Sequence, residues 1–364
     1  MKIALIGDIA LHGKYSLNNS NIYDYFCDIS NFLKQFDYVI GNLETPFCDS
    51  TCKTYGSKSA YIYSDEENWK LLQYLNINIV NLANNHIFDY GLDGYTRTKE
   101  VLDENNIKYF GVDNIALLLE DNSGKVALTG FCCYSTNGLG YYNEQTNIGV
   151  NVLNGFDAEK LLLQYNCQGY LNIMSIHAGQ EHLNYPSYDH IKLARKLSSK
   201  VPYIYYGHHP HVIQGVEKIK NSLIAYSLGN FCFDDVYNDN SSKPLIKQSE
   251  NNKKSFILCL DIIDCNLKSY EIIPIYAGEN KLEIDSEGKI LKELVEYSEA
   301  LKMKEDDYTQ IRNKLFADYI LKRKKDRNMK WYLKRLKPRY AMILINSKRN
   351  RIGYKKKVVD YYSK

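Results

Sequence analysis

The sequence predicts an α/β fold followed by a helical extension, and three patterns in its 364 residues support that prediction. Apolar segments of strand length alternate with segments of helical period early in the chain, as expected for strands joined by crossover helices. Strand-like segments then follow one another more closely, and from about residue 287 the pattern becomes helical and highly charged. We therefore expect a catalytic domain over residues 1–285 and a helical, strongly basic extension over residues 286–364.

The strand-like segments are short apolar runs, and the later ones are rich in β-branched and aromatic residues. In chain order they are KIALIG, DYVIGNLE, INIVNLANNH, KVALTGFCCY, YLNIMSIH, PYIYYGHH, SLIAYSLGNF and SFILCLDIID. The segments with helical period are YDYFCDISNFLKQF, EENWKLLQYL, DGYTRTKEVLDENN and DHIKLARKL. Because the early helices each connect two strands, the sequence predicts βαβ units at the start of the chain.

Composition places the chain among ordinary globular proteins, because hydrophobic residues make up 45% and charged residues 24%. No segment approaches the roughly 20 uninterrupted apolar residues that a membrane-spanning helix requires. Asp8 breaks the apolar start of the chain, which favours a first strand over a signal peptide. Five of the nine cysteines lie in strand-like runs, which favours reduced thiols and a cytoplasmic protein, with peripheral binding to a membrane left open.

The extension carries most of the positive charge of the chain. Between Lys322 and Lys357 stand 16 Lys and Arg residues and one acidic residue, so this segment has a charge of +15 and the remainder a charge of −12. Trp331, Tyr332, Leu333 and Leu336 alternate with these basic residues, as in a helix that lies on a membrane surface.

Several partners remain open for the basic extension: an anionic membrane surface, an anionic polymer, subunits of a polymer synthase, or the acidic body of the same chain. Nucleic acid is not favoured, because the segment shows no binding motif beyond its charge.

Polar residues suited to metal binding stand where predicted strands end. The strands end in IGD, GNLE, NLANNH, SIH and YGHHPH, and the carboxyl ends of strands in an open α/β sheet face one crevice. The residues delivered there are Asp8, Glu44, Asn85, His86, His177, His209 and His211. Carboxylates, an amide oxygen and imidazoles favour Mn, Fe, Zn or Mg, and two such divalent ions are plausible.

Individual roles follow from spacing and chemistry. His209 and His211 are two residues apart, so both would point the same way on an extended strand. His208 would point the opposite way and is expected to support the ligands from behind or to have a structural role. His86 is suited to act as a general acid, and Asp89, three residues later, could orient its ring. Asn84 competes with Asn85 as a ligand, and the pair also suits a plain polar turn.

The remaining candidates surround these ligands. Glu44 stands between a buried strand and Pro46, which fits a bridging carboxylate. His177 is expected to be a ligand, whereas Glu181 is expected to lie behind the ligands or to contact the substrate. Asn230, in YSLGNF, could line a substrate pocket, or the segment could be a tight turn that needs Gly229.

Six segments together resemble the ordered signature of the CapA family, the bacterial capsule and poly-gamma-glutamate synthesis proteins. The segments are GDIAL, GNLETPF, NLANNHIFDYG, HAGQEH, GHHPHVIQGVE and YSLGNFCFD, and they span residues 3 to about 234. That family is similar to the calcineurin-like metallophosphoesterases. The resemblance therefore implies a four-layer sandwich, with two packed mixed β-sheets flanked by helices, and a dinuclear metal site.

The resemblance also implies a division of the ligands between two metals. One metal would be held by Asp8, Glu44 and His211 and the other by Glu44, Asn85, His177 and His209, with His86 as the acid. The sequence departs from the broader phosphoesterase pattern, which has His at the position of Ala10 and Asp at that of Glu44. His12 is the candidate to replace the missing histidine.

The resemblance implies a metal-dependent phosphoesterase, a hydrolase, that acts in capsule or poly-gamma-glutamate biosynthesis on a phosphoester or an anionic polymer. The alternative is a non-catalytic or weakly catalytic metal-binding subunit of a complex that synthesises or exports such a polymer.

Overall fold

The computed structural model of the protein describes residues 1–49, 51–56, 58, 60–136, 142–143, 146–237, 242–325 and 338–364. Its strands are β1 (Lys2–Ile9), β2 (Tyr38–Leu43), β3 (Ile79–Asn81), β4 (Lys108–Phe110), β5 (Leu117–Asp121), β6 (Gly124–Cys132), β7 (Tyr142–Asn143), β8 (Ile148–Gly149), β9 (Leu171–His177), β10 (Tyr203–His208), β11 (Val216–Ile219), β12 (Ser222–Ala225), β13 (Asn230–Cys232), β14 (Lys254–Ile263), β15 (Asn266–Ala277) and β16 (Leu282–Ile284). Its α-helices are α1 (Ile22–Leu33), α2 (Trp69–Tyr74), α3 (Gly91–Glu104), α4 (Gly155–Cys167), α5 (Tyr188–Ser198), α6 (Lys289–Ala300), α7 (Glu305–Lys325), α8 (Pro338–Tyr354) and α9 (Asp360–Ser363).

Two mixed sheets hold the strands that surround the site. The first has the order β16-β15-β14-β1-β2-β3-β4, with β13 paired to the end of β1, and its strands β1 to β4 are parallel. The second has the order β11-β12-β10-β9-β6-β5, in which β6, β9, β10 and β12 are parallel. Parallel strands in register bring their carboxyl ends to one edge: Asp8 pairs with Asn42, and His177 pairs with His208.

Strand alternation builds a separate apolar layer on each face of the first sheet. On β1, Ile3 and Leu5 pack with residues of the second sheet, whereas Ala4 and Ile6 pack with the helices α1, α2 and α3. Each such fully buried aliphatic side chain contributes about 1.5 to 3 kcal/mol through removal from water. Tyr206 crosses the inter-sheet layer and donates its hydroxyl to the backbone oxygens of Ile6 and Ile40, so its polar end is satisfied.

The outer face of the second sheet is covered by α4, α5 and parts of the C-terminal extension. Helices outside two packed sheets give four layers, which confirms the predicted fold class. Buried Val358 and Tyr361 join the apolar cluster of α4 and α5, and Tyr308 of α7 joins it as well. The end of the extension therefore folds back onto the body.

The boundary between residues 285 and 286 stays a prediction, and Trp331, Tyr332, Leu333 and Leu336 lie outside the described residues. Among the helices that the structure describes, none is both long enough and apolar enough to cross a membrane.

The segment SLIAYSLGNF does not form the single strand that the sequence predicts. Residues Ser222–Ala225 belong to the second sheet as β12, whereas Asn230–Cys232 belong to the first sheet as β13. The chain crosses between the sheets at Gly229, which has a φ of +78°. A Cβ atom there would stand 2.6 Å from the backbone oxygen of Lys254, so the crossing requires glycine.

Candidate metal centre

The candidate ligands lie together where the carboxyl ends of the parallel strands of the two sheets meet. Asp8, Glu44 and His177 each offer a ligand atom within 4.8 Å of the others, and all three are completely buried. Asn85 extends this group, since its Oδ1 lies 2.7 Å from His177 Nε2. Oxygen and imidazole nitrogen atoms that converge on one place are what a bound cation requires.

Asn42 holds the first group together. Its Nδ2 donates to Asp8 Oδ1 at 2.9 Å and to Glu44 Oε1 at 3.3 Å, and lies 3.3 Å from His177 Nδ1. Asn42 is not among the site residues that the sequence predicts. A signal was present, because Asn42 precedes Glu44 by two residues in an extended segment and so shares its face.

The environment of the buried Glu44 carboxylate favours a bound cation. Within the described part of the chain, its Oε2 has no hydrogen-bond partner. Burial, and next the negative charge of Asp8, raise the pKa of Glu44 well above its usual range. A bound divalent ion would neutralise both carboxylates, so these residues fit the metal that the sequence predicts.

A second group consists of Glu181, His209 and His211, whose ligand atoms also lie within 4.8 Å of one another. His211 Nδ1 lies 2.9 Å from Asn230 Oδ1, a contact that fixes the ring and leaves Nε2 for a ligand role. His211 Nδ1 is also 3.5 Å from Asp8 Oδ2, so the two groups adjoin.

Glu181 thus offers a ligand atom within 4.8 Å of those of His209 and His211, closer to the ligands than the sequence predicted. Burial alone would raise the pKa of Glu181, but His209 and His211 hold it below its usual value. The resemblance implied another division, with His209 beside His177 and His211 beside Asp8, and left Glu181 out. Both of those proximities are also present, since the rings of His177 and His209 have centroids 4.8 Å apart and His211 Nδ1 lies 3.5 Å from Asp8 Oδ2.

The strand geometry expected for the histidine segment is wrong. β10 ends at His208, and His209 and His211 have φ angles of 93° and 57°, so neither lies on an extended strand. This left-handed turn brings the side chains of His209 and His211 close together. His208 does not point away from the site either: its Nδ1 lies 2.8 Å from Asp8 Oδ1, because the strand carries it alongside Asp8 before the turn begins.

Asp8 is the acceptor for both residues of this turn. Besides the contact with His208, it accepts the backbone N–H of His209 at 3.1 Å. Burial would raise the pKa of Asp8, but His208, His211 and the Asn42 amide together lower it below its usual value. Burial acts in the opposite direction on an imidazole, because it disfavours the protonated ring, and it lowers the pKa of His209 to about 3.

His86 has the surroundings predicted for it. Its Nδ1 lies 2.7 Å from Asp89 Oδ2, and its side chain is 13% exposed, so the ring is held from behind and reaches solvent. Asp89 also accepts hydrogen bonds from Lys58 Nζ and from the backbone N–H of Ile62. Burial would raise the pKa of Asp89, but its contacts with Lys58 and His86 lower it below its usual value.

Asn84 is not the competing ligand. Its Oδ1 accepts the backbone N–H groups of His86 and Ile87, and its Nδ2 donates to the backbone oxygen of Leu43 at 2.7 Å. Both ends of this amide are therefore used to shape the turn, which leaves Asn85 to face His177. Lys58, which contacts the backbone oxygen of Asn85, comes from a loop with no recognisable sequence pattern.

His12 does not stand in either ligand group. Its ring packs edge-on against Phe233, with centroids 5.6 Å apart, and burial lowers its pKa to about 4. Its buried Nε2 has no hydrogen-bond partner among the residues that the structure describes, so the role of His12 as a replacement ligand stays a prediction.

The family described as bacterial capsule synthesis protein PGA_cap matches residues 2–235, a span that includes every candidate ligand. The chain belongs to this family. The capsule biosynthesis protein CapA of Bacillus anthracis is 27% identical over 344 residues, which cover 90% of the chain and 80% of that protein. The PGA biosynthesis protein CapA of Bacillus subtilis (strain 168) is 27% identical over 263 residues, covering 68% of the chain and 67% of that protein.

Solved structures resemble this PGA_cap family member only in part. A hypothetical protein from Thermus thermophilus has a TM-score of 0.46 at 12% identity, covering 75% of the chain and 98% of that protein. The sulfate thiohydrolase SoxB of Thermus thermophilus has a TM-score of 0.39 at 9% identity, covering 75% and 45%.

Proposed function

We propose that this PGA_cap family member is a metal-dependent phosphoesterase that acts in the biosynthesis of a bacterial capsule or a poly-gamma-glutamate-type envelope polymer. The observation that carries the proposal is the meeting of two adjoining ligand groups with the His86–Asp89 pair at one sheet edge. Membership of the capsule synthesis family supports the biological setting.

Two divalent cations, drawn from Mn, Fe, Zn or Mg, would be held by the two ligand groups. Asp8, Glu44, Asn85 and His177 offer one set of donors, and Glu181, His209 and His211 offer the other. When bound, such ions supply Lewis acidity and an activated water for an in-line displacement at phosphorus.

The protein's own residues supply positioning and a proton. Asp89 engages His86 Nδ1, so His86 Nε2 is the nitrogen left to protonate a leaving oxygen at the solvent-exposed side. Asn42 and Asn230 orient ligand side chains from outside the two groups, and His208 does the same for Asp8.

The test combines metal analysis with turnover. Protein purified without chelator is expected to contain about two equivalents of divalent metal and to hydrolyse members of a phosphomonoester and phosphodiester panel in a metal-dependent manner. The double variant Asn85→Ala/His86→Ala should lose that activity. The matched control is Asn166→Ala, since Asn166 is exposed on α4 in the outer helical layer.

Two results would contradict the proposal. Wild-type activity in the double variant would remove His86 and Asn85 from the mechanism. A full metal complement with no turnover on any phosphoester would instead favour a metal-binding subunit of a polymer synthesis complex, the alternative that the sequence left open.

A further inference from the structure

A cavity of about 790 Å³ lies beside the candidate metal centre. One wall consists of body residues that include Lys58, Ser135 and Gln180, and the other consists of α7 and α8 in the C-terminal extension. The family match ends at residue 235, so the second wall lies outside it. The described residues that line this cavity include none of the proposed metal ligands and not the proposed acid, His86.

Arg312 of α7 lines the cavity and is buried, with 9% of its surface exposed. Its guanidinium donates to the backbone oxygen of Tyr185 at 3.2 Å and to the side-chain oxygen of Gln180, both of which are neutral acceptors. Among the described residues, no carboxylate lies within 4.0 Å of this guanidinium to form an ion pair. Burying a cation beside neutral partners is costly, so the position favours an anion that is not part of the described chain.

The other charged groups of the cavity do not cancel this charge. Arg351 of α8 and Lys58 add two cations, although Lys58 is already paired with Asp89. Among the lining residues that the structure describes, the single carboxylate is that of Asp189. It acts electrostatically on Arg312 without forming an ion pair with it, and it accepts hydrogen bonds from the hydroxyls of Tyr354 and Tyr362. The cavity therefore carries a net positive charge.

The cavity and the metal centre share a wall. Lys58 contacts the backbone oxygen of Asn85 and the carboxylate of Asp89, and Gln180 directly precedes Glu181. A molecule that enters the cavity would therefore stand next to the residues that we assign to the reaction.

We propose that this cavity is a substrate subsite that binds a second anionic group, a carboxylate or a phosphate, with Arg312 as its principal ligand. The guanidinium matches either group, because both accept paired N–H donors in one plane. The assignment as a substrate subsite rests on the proposed function. The binding of the anion does not, because it requires neither metal nor turnover.

The test measures anion binding to the full chain treated with chelator, so that the metal centre does not contribute. Calorimetric titration uses three probes: a triglutamate peptide for carboxylates, pyrophosphate for phosphates, and triglutamine as the uncharged match. We expect triglutamate or pyrophosphate to bind and triglutamine not to bind. Whichever charged probe binds shows whether the site takes a carboxylate or a phosphate. Binding should also raise the melting temperature of the protein.

Variants locate the binding at the cavity. Arg312→Gln should weaken binding by about tenfold or more, whereas Arg312→Lys should keep part of it. Lys314→Gln is the matched control, because Lys314 is exposed on the same helix and its replacement removes the same charge. Arg351→Gln, at an exposed position, should weaken binding even if Arg312→Gln fails to fold.

Equal affinity of wild type, Arg312→Gln and Arg351→Gln would overturn the subsite, as would the absence of binding by either charged probe. If the wild-type protein turns over no phosphoester but binds an anion in an Arg312-dependent manner, the proposed function is contradicted and the anion site remains supported.

Discussion

At the scale of single residues, the centre depends on polar side chains that position other polar side chains. Asp89 holds the ring of His86 at 2.7 Å, and Asn230 holds the ring of His211 at 2.9 Å. Because such contacts fix the tautomer and direction of an imidazole, their loss typically costs activity or metal affinity without removing a ligand.

Asp89→Asn is expected to lower turnover about 10- to 100-fold, because the amide cannot supply the charge that orients and supports the His86 ring. Metal content should stay unchanged, since Asp89 is in neither ligand group. Steady-state kinetics and metal analysis on the same preparation check this. Asp93→Asn, at an exposed position on α3, is the control, and equal losses in both variants would contradict the assigned role.

A buried histidine away from the ligands predicts a pH dependence of stability. Burial lowers the pKa of His190 to about 4, below its ordinary value of 6.5. Between these values the unfolded chain binds the proton and the folded chain does not, so stability falls as the pH is lowered from 6.5 towards 4. The loss from this one group amounts to about 3 kcal/mol.

His190→Gln should therefore show a smaller loss of unfolding free energy between pH 7 and pH 4 than wild type, as measured by urea denaturation. Above pH 6.5, His190 is neutral in both states and contributes no slope. Parallel pH profiles for the two proteins would show that His190 is not the source.

At the scale of elements, the crossing between the two sheets at Gly229 brings Asn230 to His211. β12 ends in the second sheet, and β13 begins beside Asp8 in the first. The strand-like composition of SLIAYSLGNF predicted one strand. Composition indicates a propensity for extended backbone, but it does not indicate which sheet each part of the segment joins.

Gly229→Ala is expected to destabilise the protein by about 2 to 4 kcal/mol, through left-handed backbone strain and overlap with the backbone of Lys254. Gly169→Ala is the control, because Gly169 has a similar φ of +82° but no atom within 4 Å of the added Cβ. Chemical denaturation of both variants measures the difference. Equal destabilisation would mean that the close approach at Gly229 contributes nothing.

At the scale of the whole molecule, charge is divided between an acidic body and a basic extension. The end of that extension packs on the body through Tyr354, Val358 and Tyr361. Truncation near residue 320 would therefore uncover an apolar surface as well as remove charge. A charge-neutralising variant is the sharper probe of a membrane-binding role.

We expect the full chain to sediment with vesicles that contain anionic lipid and not with neutral vesicles, because basic residues near a membrane contribute about 1 kcal/mol each. Replacing the Lys and Arg residues between 322 and 335 by Gln should abolish sedimentation. The control replaces the same number of exposed lysines in the body. Equal recovery of all three proteins would exclude the membrane as the partner of the extension.

Much of the fold and of the centre could be predicted from the sequence, because local patterns encode strand ends. Asp8, Glu44 and His177 were placed at one edge by the alternation of strands and helices, whereas Asn85 was chosen over Asn84 mainly through the family resemblance. Both the identity of the chemically suitable side chains and their position at the ends of apolar runs can be read directly from the sequence.

Tertiary structure alone decided how those side chains are grouped. Glu181 joined His209 and His211 because positive φ angles at those two histidines redirect the chain after β10, whereas β10 itself carries His208 alongside Asp8. The contribution of Arg312 likewise arises from a helix that returns from far along the chain. Such contacts depend on packing between segments that are distant in the chain, and a local hydrophobic pattern carries no information about that packing. The sequence by itself therefore determined which ligand and acid side chains are present, and the tertiary structure determined how they are arranged.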